Sequence, residues 1–159
     1  MTENGFASFF QERFSRTVVL LISAGASRAD AEDATQEAMI QAWQHWQSIR
    51  EPTAWLRTVA FRTWPKQGDN QRFKTVPLED ADRSTVLYPD LSIFATEQQQ
   101  VLRLLRALPP MQRAVTALFY DGAPCGEIAE LLDVSEATVR SHLRHARRTL
   151  KEMMATGDL

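Results

Sequence analysis

Apolar residues recur at three- and four-residue intervals through most of the chain, and the alternation that builds a half-buried strand is almost absent. The spacing predicts an all-α protein. Phe6, Phe9, Phe10, Phe14, Val18, Leu21 and Ile22 fall largely on one side of a first helix that ends near Gly25. Ser27 is a suitable cap for the next, and Asp30, Glu32 and Asp33 crowd its first turn, where the helix dipole favours negative charge. That helix runs to about Trp46. Its inward side is Ala31, Ala34, Thr35, Ala38 and Ala42, with Met39 and Trp46 at one edge, and such small residues predict close approach by a neighbouring helix. Pro52 opens a third helix whose core stripe is Leu56, Val59, Ala60 and Thr63.

The same spacing returns near the C-terminus. Pro110 suits a first helical position, and the helix behind it carries Val115, Leu118 and Phe119. Asp121-Gly122 closes it, and Pro124 opens a short helix holding Ile128, Ala129, Leu131 and Leu132. Asp133-Val134 makes a tight turn, and Ser135 caps a longer helix. On that last helix Val139, Leu143, Ala146 and Leu150 face one way. Ala137, Arg140, Ser141, Arg144, Arg148 and Lys151 face the other. A short helix, a tight turn and a capped longer helix form the helix-turn-helix pattern of DNA-reading modules.

Between these groups, residues 65–92 hold Pro65, Pro77, Pro89 and Gly68 with few periodic apolar positions, which predicts a frayed helix end followed by a linker. The organisation expected is two small helical domains, 1–72 and 92–159, joined by a flexible linker at 73–91. With 44% hydrophobic and 24% charged residues in 159, the composition is that of an ordinary soluble protein. The start MTENGFASFF does not read as a signal peptide, and the longest apolar run, Val18 to Ile22, is too short to cross a bilayer. A lone Cys125 forms no internal disulfide, which fits a reducing cytoplasm.

Charge changes the picture at one place. The chain carries a net −2, yet from Ser135 to Met153 five Lys or Arg stand against two acids, with His142 and His145 in addition. A positive helix on an acidic protein is the electrostatic footprint of a phosphate-backbone binder. Two other faces are left over. Asp33, Gln36, Glu37, Ile40 and Gln44 lie opposite the inward side of the second helix, and an isoleucine ringed by acids and amides fits either a docking stripe or an ordinary solvated face. Trp55, Phe61 and Arg62, with Arg57 nearby, point away from the third helix's core stripe. They suit base stacking and phosphate contact, or packing against the first helix or the linker.

Three segments together, AEDATQEAMIQAW (31–43), AWLRTVAFR (54–62) and LP…EIAELLDVSEATVRSHLRHAR (108–147), resemble the extracytoplasmic-function (ECF) group of bacterial sigma-70 family RNA polymerase sigma factors. The resemblance covers nearly the whole chain in family order. It implies that Asp33, Gln36, Glu37 and Ile40 dock on the clamp helices of the largest subunit of core RNA polymerase. It implies that Trp55, Phe61 and Arg62 face the −10 promoter element, where the duplex opens and an unstacked base is held. By the same resemblance the last helix reads the −35 element of promoter DNA, with Arg140, Ser141 and Arg144 on bases and Thr138, Arg147 and Arg148 on phosphates. An inhibitory anti-sigma factor is a further implied partner. The chain departs from the family pattern at Arg62, where an Asn is common, and at Trp64-Pro65-Lys66-Gln67-Gly68, where a basic helix normally continues.

A stand-alone helix-turn-helix regulator, with a dimerisation or sensor domain at its N-terminus, would need only the C-terminal module. No catalytic constellation emerges, and no cofactor or metal is expected. His142 and His145 lie three apart, but no acid or Cys within the segment completes a ligand set.

Overall fold

The computed structural model describes residues 3–64 and 96–157. The expected linker, with its acids Glu79, Asp80 and Asp82, lies outside them, as do the expected domain boundaries. Among the described residues are seven α-helices: α1 Glu3–Ala24, α2 Arg28–Gln44, α3 Pro52–Thr63, α4 Thr96–Arg106, α5 Pro110–Tyr120, α6 Cys125–Leu132 and α7 Glu136–Thr156. A single 3₁₀ turn, Trp46–Ser48, joins α2 to the loop before α3. Periodicity of the sequence does not single out α4. Its signal is the run Leu102, Leu104, Leu105, of which Leu102 and Leu105 are buried.

Three helices stop by the same device. At the end of α1 the Ala26 amide donates to Leu21 O (2.9 Å) and the Gly25 amide to Ile22 O (3.0 Å). Helix α5 ends with Ala123 bonded to Leu118 and Gly122 to Phe119, and α6 with Val134 bonded to Ala129 and Asp133 to Glu130. Each pair is a Schellman closure, which puts one residue in the left-handed region. Gly25 (φ +120°) and Gly122 (φ +101°) take that place without a Cβ penalty, and Asp133 (φ 56°) tolerates it better than most side chains. Starts are equally local. Ser27 Oγ accepts from the Asp30 amide at 3.1 Å, Ser135 Oγ from the Thr138 amide at 3.1 Å, and Pro52 and Pro110 open α3 and α5.

The alanine side of α2 packs as expected. Ala31, Ala34, Thr35, Ala38 and Ala42 are all buried, and α2 lies against both α1 and α3. Helix α1 also packs on α4 and α5, so the two expected domains share one core. Leu21 and Ile22 of α1, Leu56 of α3, Val115 and Leu118 of α5, Ile128 of α6 and Val139 of α7 belong to a single buried cluster. Full burial of each such aliphatic side chain is worth about 1.5–3 kcal/mol. A smaller cluster, Ala42, Trp46 and Ile49 with Phe6, Phe9 and Trp55, closes the α1–α2 end, and a third joins Leu105 and Leu108 to Ala146, Leu150 and Met153.

Arginines tie α4 to the rest. Buried Arg106 donates through Nη2 to Ile22 O (3.2 Å), which also accepts from the Gly25 amide, and to Ala26 O (2.5 Å) just past the end of α1. Arg113 donates to Leu105, Arg106 and Leu108 carbonyls at 3.2, 2.8 and 2.9 Å, closing the end of α4. Burial lowers its pKa from the ordinary value. A Cβ on Gly25 would stand 2.8 Å from Arg113 Nη1, whereas one on Gly122 would meet nothing within 4 Å. Both substitutions by Ala should cost the ~1–2 kcal/mol of left-handed backbone. Gly25→Ala should lose a further ~1–3 kcal/mol through overpacking. Urea unfolding of the two variants checks the difference, and equal losses would mean that Arg113 yields freely.

Candidate nucleic-acid and polymerase interfaces

The helix-turn-helix is built as its punctuation predicts. The left-handed turn at Asp133 and the Ser135 cap start α7, and Val139, Leu143 and Ala146 anchor it to the core. Arg140, Arg144, Arg147 and Arg148 are exposed, while Thr138 and Ser141 are half-buried beside them. Thr138 Oγ1 and Ser135 Oγ share a hydrogen bond of 2.8 Å. Arg140 Nη1 lies 3.5 Å from Glu136 Oε2 in an exposed i,i+4 pair. Pairs of that kind contribute only about 0.3–0.5 kcal/mol, so a phosphate can displace the glutamate. Arg147 is set apart from the other three, since its guanidinium carbon sits 5.4 Å from the Phe119 ring centroid in a cation–π contact.

The polymerase-docking candidates share one face. Asp33, Gln36, Glu37 and Ile40 are all exposed on α2, with Ile40 at 59%. Sequence reasoning missed its continuation. Trp43 is 49% exposed one turn beyond Ile40, and Phe10, expected in the α1 core stripe, is 40% exposed. Together with Phe6, Phe14, Gln36 and Met39 they line a shallow groove of about 470 Å³. Phe6 holds the aromatic rings in register, 5.1 Å from Trp43 and 6.2 Å from Phe10. The signal available was Phe6 and Phe10 at i,i+4 and Ile40 and Trp43 at i,i+3, two apolar pairs at the edges of adjoining helices.

The three −10 candidates do not share a surface. Arg62 is exposed and Trp55 half-buried, but Phe61 is 4% exposed, edge-to-face on Trp64 at 5.9 Å. Phe61 therefore packs in the core, in the buried cluster that also holds Ala31, Ala34 and Ala38 of α2, and gives no ring to a base in this conformation. Arg57 was expected to point off the core face, and it too is buried. Its Nε and Nη2 donate to the two Glu127 carboxylate oxygens at 2.9 and 3.1 Å, and its Nη1 to Asp121 Oδ2 at 3.2 Å. Arg13 Nη2 reaches the same Asp121 oxygen at 2.9 Å. Trp55 opens on a cleft of about 1180 Å³ with His45, Arg50 and Glu51 on its own side and Glu127, Glu130, Asp133 and Glu136 of α6 and α7 across it.

Among the described residues no group of three or more His, Cys, Asp or Glu is placed to hold a metal ion, and no helix is long and apolar enough to cross a membrane. Burial, and then the neighbouring His145, lowers the pKa of His142. The unfolded chain therefore binds more protons than the folded one between the depressed folded pKa and the ordinary ~6.5. Stability contributed by neutral His142 is present above about pH 6.5 and is lost as pH falls through that window. His142→Gln should flatten this loss relative to the parent in urea titrations at pH 7.5 and pH 5.5, and parallel losses in both would remove His142 as the cause.

Together, the α1–α3 bundle with its exposed Ile40-centred face and the helix-turn-helix of α4–α7 with its exposed arginines have the architecture of a helix-turn-helix protein. The family model described as Sigma-70 region 2 matches residues 13–65, and that described as Sigma-70, region 4 matches residues 98–150. The chain belongs to the sigma-70 family of RNA polymerase sigma factors, within the ECF group. It is 27% identical to the ECF RNA polymerase sigma factor SigK of Mycobacterium tuberculosis, over 94% of this chain and 85% of that protein. It is 30% identical to the probable RNA polymerase sigma factor RfaY of Xanthomonas campestris pv. campestris over 77% of this chain, but spans only 34% of that relative's length. Two solved structures share the fold: CnrH in complex with the cytosolic domain of CnrY (TM-score 0.65, 18% identity, 98% and 90% of the chains), and RpoE in complex with the anti-sigma factor NepR from Bartonella quintana (TM-score 0.62, 21% identity, 95% and 97%).

Proposed function

We propose that this protein directs core RNA polymerase to a set of promoters and aids their opening, acting in the cytoplasm without catalytic chemistry of its own. The observation that carries the reading is the pairing, in one chain and in family order, of an exposed Ile40-centred face on α2 with a basic exposed face on α7. A stand-alone regulator would require only the second of these. Asp33, Gln36, Glu37 and Ile40 dock on the clamp helices of the polymerase, and the groove beside them, with Phe10 and Trp43, extends the apolar part of that contact. Arg140, Ser141 and Arg144 read −35 base edges, while Thr138 and Arg148 hold phosphates. Arg147 joins them by leaving the Phe119 ring. At the −10 element Trp55 and Arg62 carry the contact, and Phe61 supports α3 from within. One structural neighbour was solved with an anti-sigma factor and the other with the cytosolic domain of its partner, which supports an anti-sigma factor as a partner here.

Core polymerase mixed with this protein should yield promoter-dependent run-off transcripts on some genomic fragment, and none on any fragment would end this reading. Ile40→Glu puts a charge at the centre of the docking face without touching the core. It should abolish co-elution with core polymerase on size exclusion while leaving the melting temperature unchanged. On the promoter so mapped, holoenzyme carrying Arg148→Ala should bind more weakly on all sequences, its salt slope reduced by about 0.9. Arg144→Ala should cost ~1–3 kcal/mol on the preferred −35 base and little on others. Identical behaviour of the two variants would contradict the division into phosphate and base contacts.

A further inference from the structure

One acid stands among the cations of α7. Between Ser135 and Arg148 the only carboxylate is Glu136, on the first turn of the helix. Its side chain is 59% exposed, yet each of its oxygens has a definite neighbour. Oε2 lies 3.5 Å from Arg140 Nη1, one turn further along the same face. Oε1 lies over the first turn of α6, where a Cβ on Gly126 would stand only 3.1 Å away. Any side chain at Gly126 would push the carboxylate from this seat by a few tenths of an ångström.

An acid in a first turn also interacts favourably with the helix dipole. The dipole accounts for a carboxylate at this position but not for its seat between Gly126 and Arg140. In a helix-turn-helix the N-terminal residues of the second helix meet base edges. A carboxylate there repels phosphates and finds a partner only in an amino donor on a base. In the major groove cytosine presents its N4 donor alone. Adenine sets its N6 donor beside the N7 acceptor, while guanine O6 and N7 and thymine O4 are acceptors that repel a carboxylate. Leaving Arg140 costs Glu136 little, because an exposed pair of this kind is weak. Four residues of helix rise about 6 Å and base pairs stack about 3.4 Å apart, so the two side chains reach different base pairs.

We propose that Glu136 is a specificity-determining residue of the −35 reader: its carboxylate, seated by Gly126, accepts from the N4 amino group of a cytosine close to the base pair that Arg140 reads. The inference rests on the assignment of α7 to the −35 element and extends it to a residue of opposite charge. Opposite any base without a free donor the carboxylate is desolvated and unpaired, so Glu136 weakens binding to every other sequence. Discrimination then comes from refusal of wrong bases as much as from the hydrogen bond itself.

The test uses holoenzyme assembled from core polymerase and the full-length protein. Its promoter fragments carry a randomised −35 element, and bound fragments are recovered and sequenced. Arg140→Ala marks the base pair that Arg140 reads. The parent should enrich cytosine at a separate position by about tenfold. Glu136→Gln should move the preference there to adenine, because a carboxamide bonds adenine N6 and N7 together. Glu136→Ala should erase the preference at that position while binding the whole pool more tightly. Gly126→Ala should lower the cytosine enrichment without lowering the melting temperature, Ala being the better helix former. An unchanged enrichment in that variant would refute the role of Gly126 as the seat. A parent that selects bases but no such cytosine overturns the proposal. So do Glu136 variants that select the parent's bases throughout, or that alter only the base marked by Arg140→Ala; the acid then serves the dipole or orients the arginine. If the parent selects no base anywhere in the randomised element, the −35 assignment of α7 itself fails and the inference falls with it.

Discussion

The burial of one side of α1 is the constraint on which the other helices depend. Leu21 and Ile22 are fully enclosed, and the residues that enclose them come from both halves of the chain. Because α1 lies against α2, α4 and α5 at once, its stripe has to be wider than a helix facing a single partner would need. The run of Val18 to Ile22, with buried Thr17 and Arg13 at its flank, supplies that width. Thr17 meets its polar requirement locally, donating its hydroxyl to Arg13 O at 2.7 Å. Arg13 is brought in only because Asp121 waits on the other half.

Around that centre the molecule separates its duties by face. The inward sides of α2 and α7 are small or aliphatic and fully committed to packing, while their outward sides carry the exposed Ile40-centred face and the exposed arginines. Neither outward side is needed for folding, so both are free to be tuned towards a partner. The third helix has no such freedom. It packs on α2, its Phe61 meets the Trp64 ring, its Arg57 pairs with Asp121 and Glu127, and its Trp55 lines the cleft. That crowding accounts for Phe61 turning inward and Arg57 turning towards Glu127.

Sequence reasoning succeeded where the controlling physics is local. Helix starts at Ser27, Pro52, Pro110 and Ser135, and stops at Gly25, Gly122 and Asp133, follow from caps and from left-handed backbone, which involve residues within one turn. The alanine stripe of α2 and the core stripe of α7 follow from the 3.6-residue period. The exposure of Asp33, Gln36, Glu37 and Ile40 was legible for the same reason. What periodicity leaves unassigned is the edge of a stripe, and there the reading faltered. Phe10, Trp43 and Phe61 all lie at edges, two ending outside and one inside.

The sequence by itself determined the all-α class, the punctuation of six helices, the positive face of α7 and, through three matching segments, the family. Each of these is written in neighbouring residues. Only the tertiary structure decided that the two halves share a core, that Arg57 pairs with Glu127 seventy positions away, and that Trp55 looks onto carboxylates. An arginine in a helix reads as exposed until a carboxylate from elsewhere is brought within hydrogen-bond reach. That depends on how α3 and α6 are laid together, and nothing in the residues beside Arg57 specifies it. The positive face of α7 is thus written in its own letters, whereas the burial of Arg57 and Phe61 comes from packing alone.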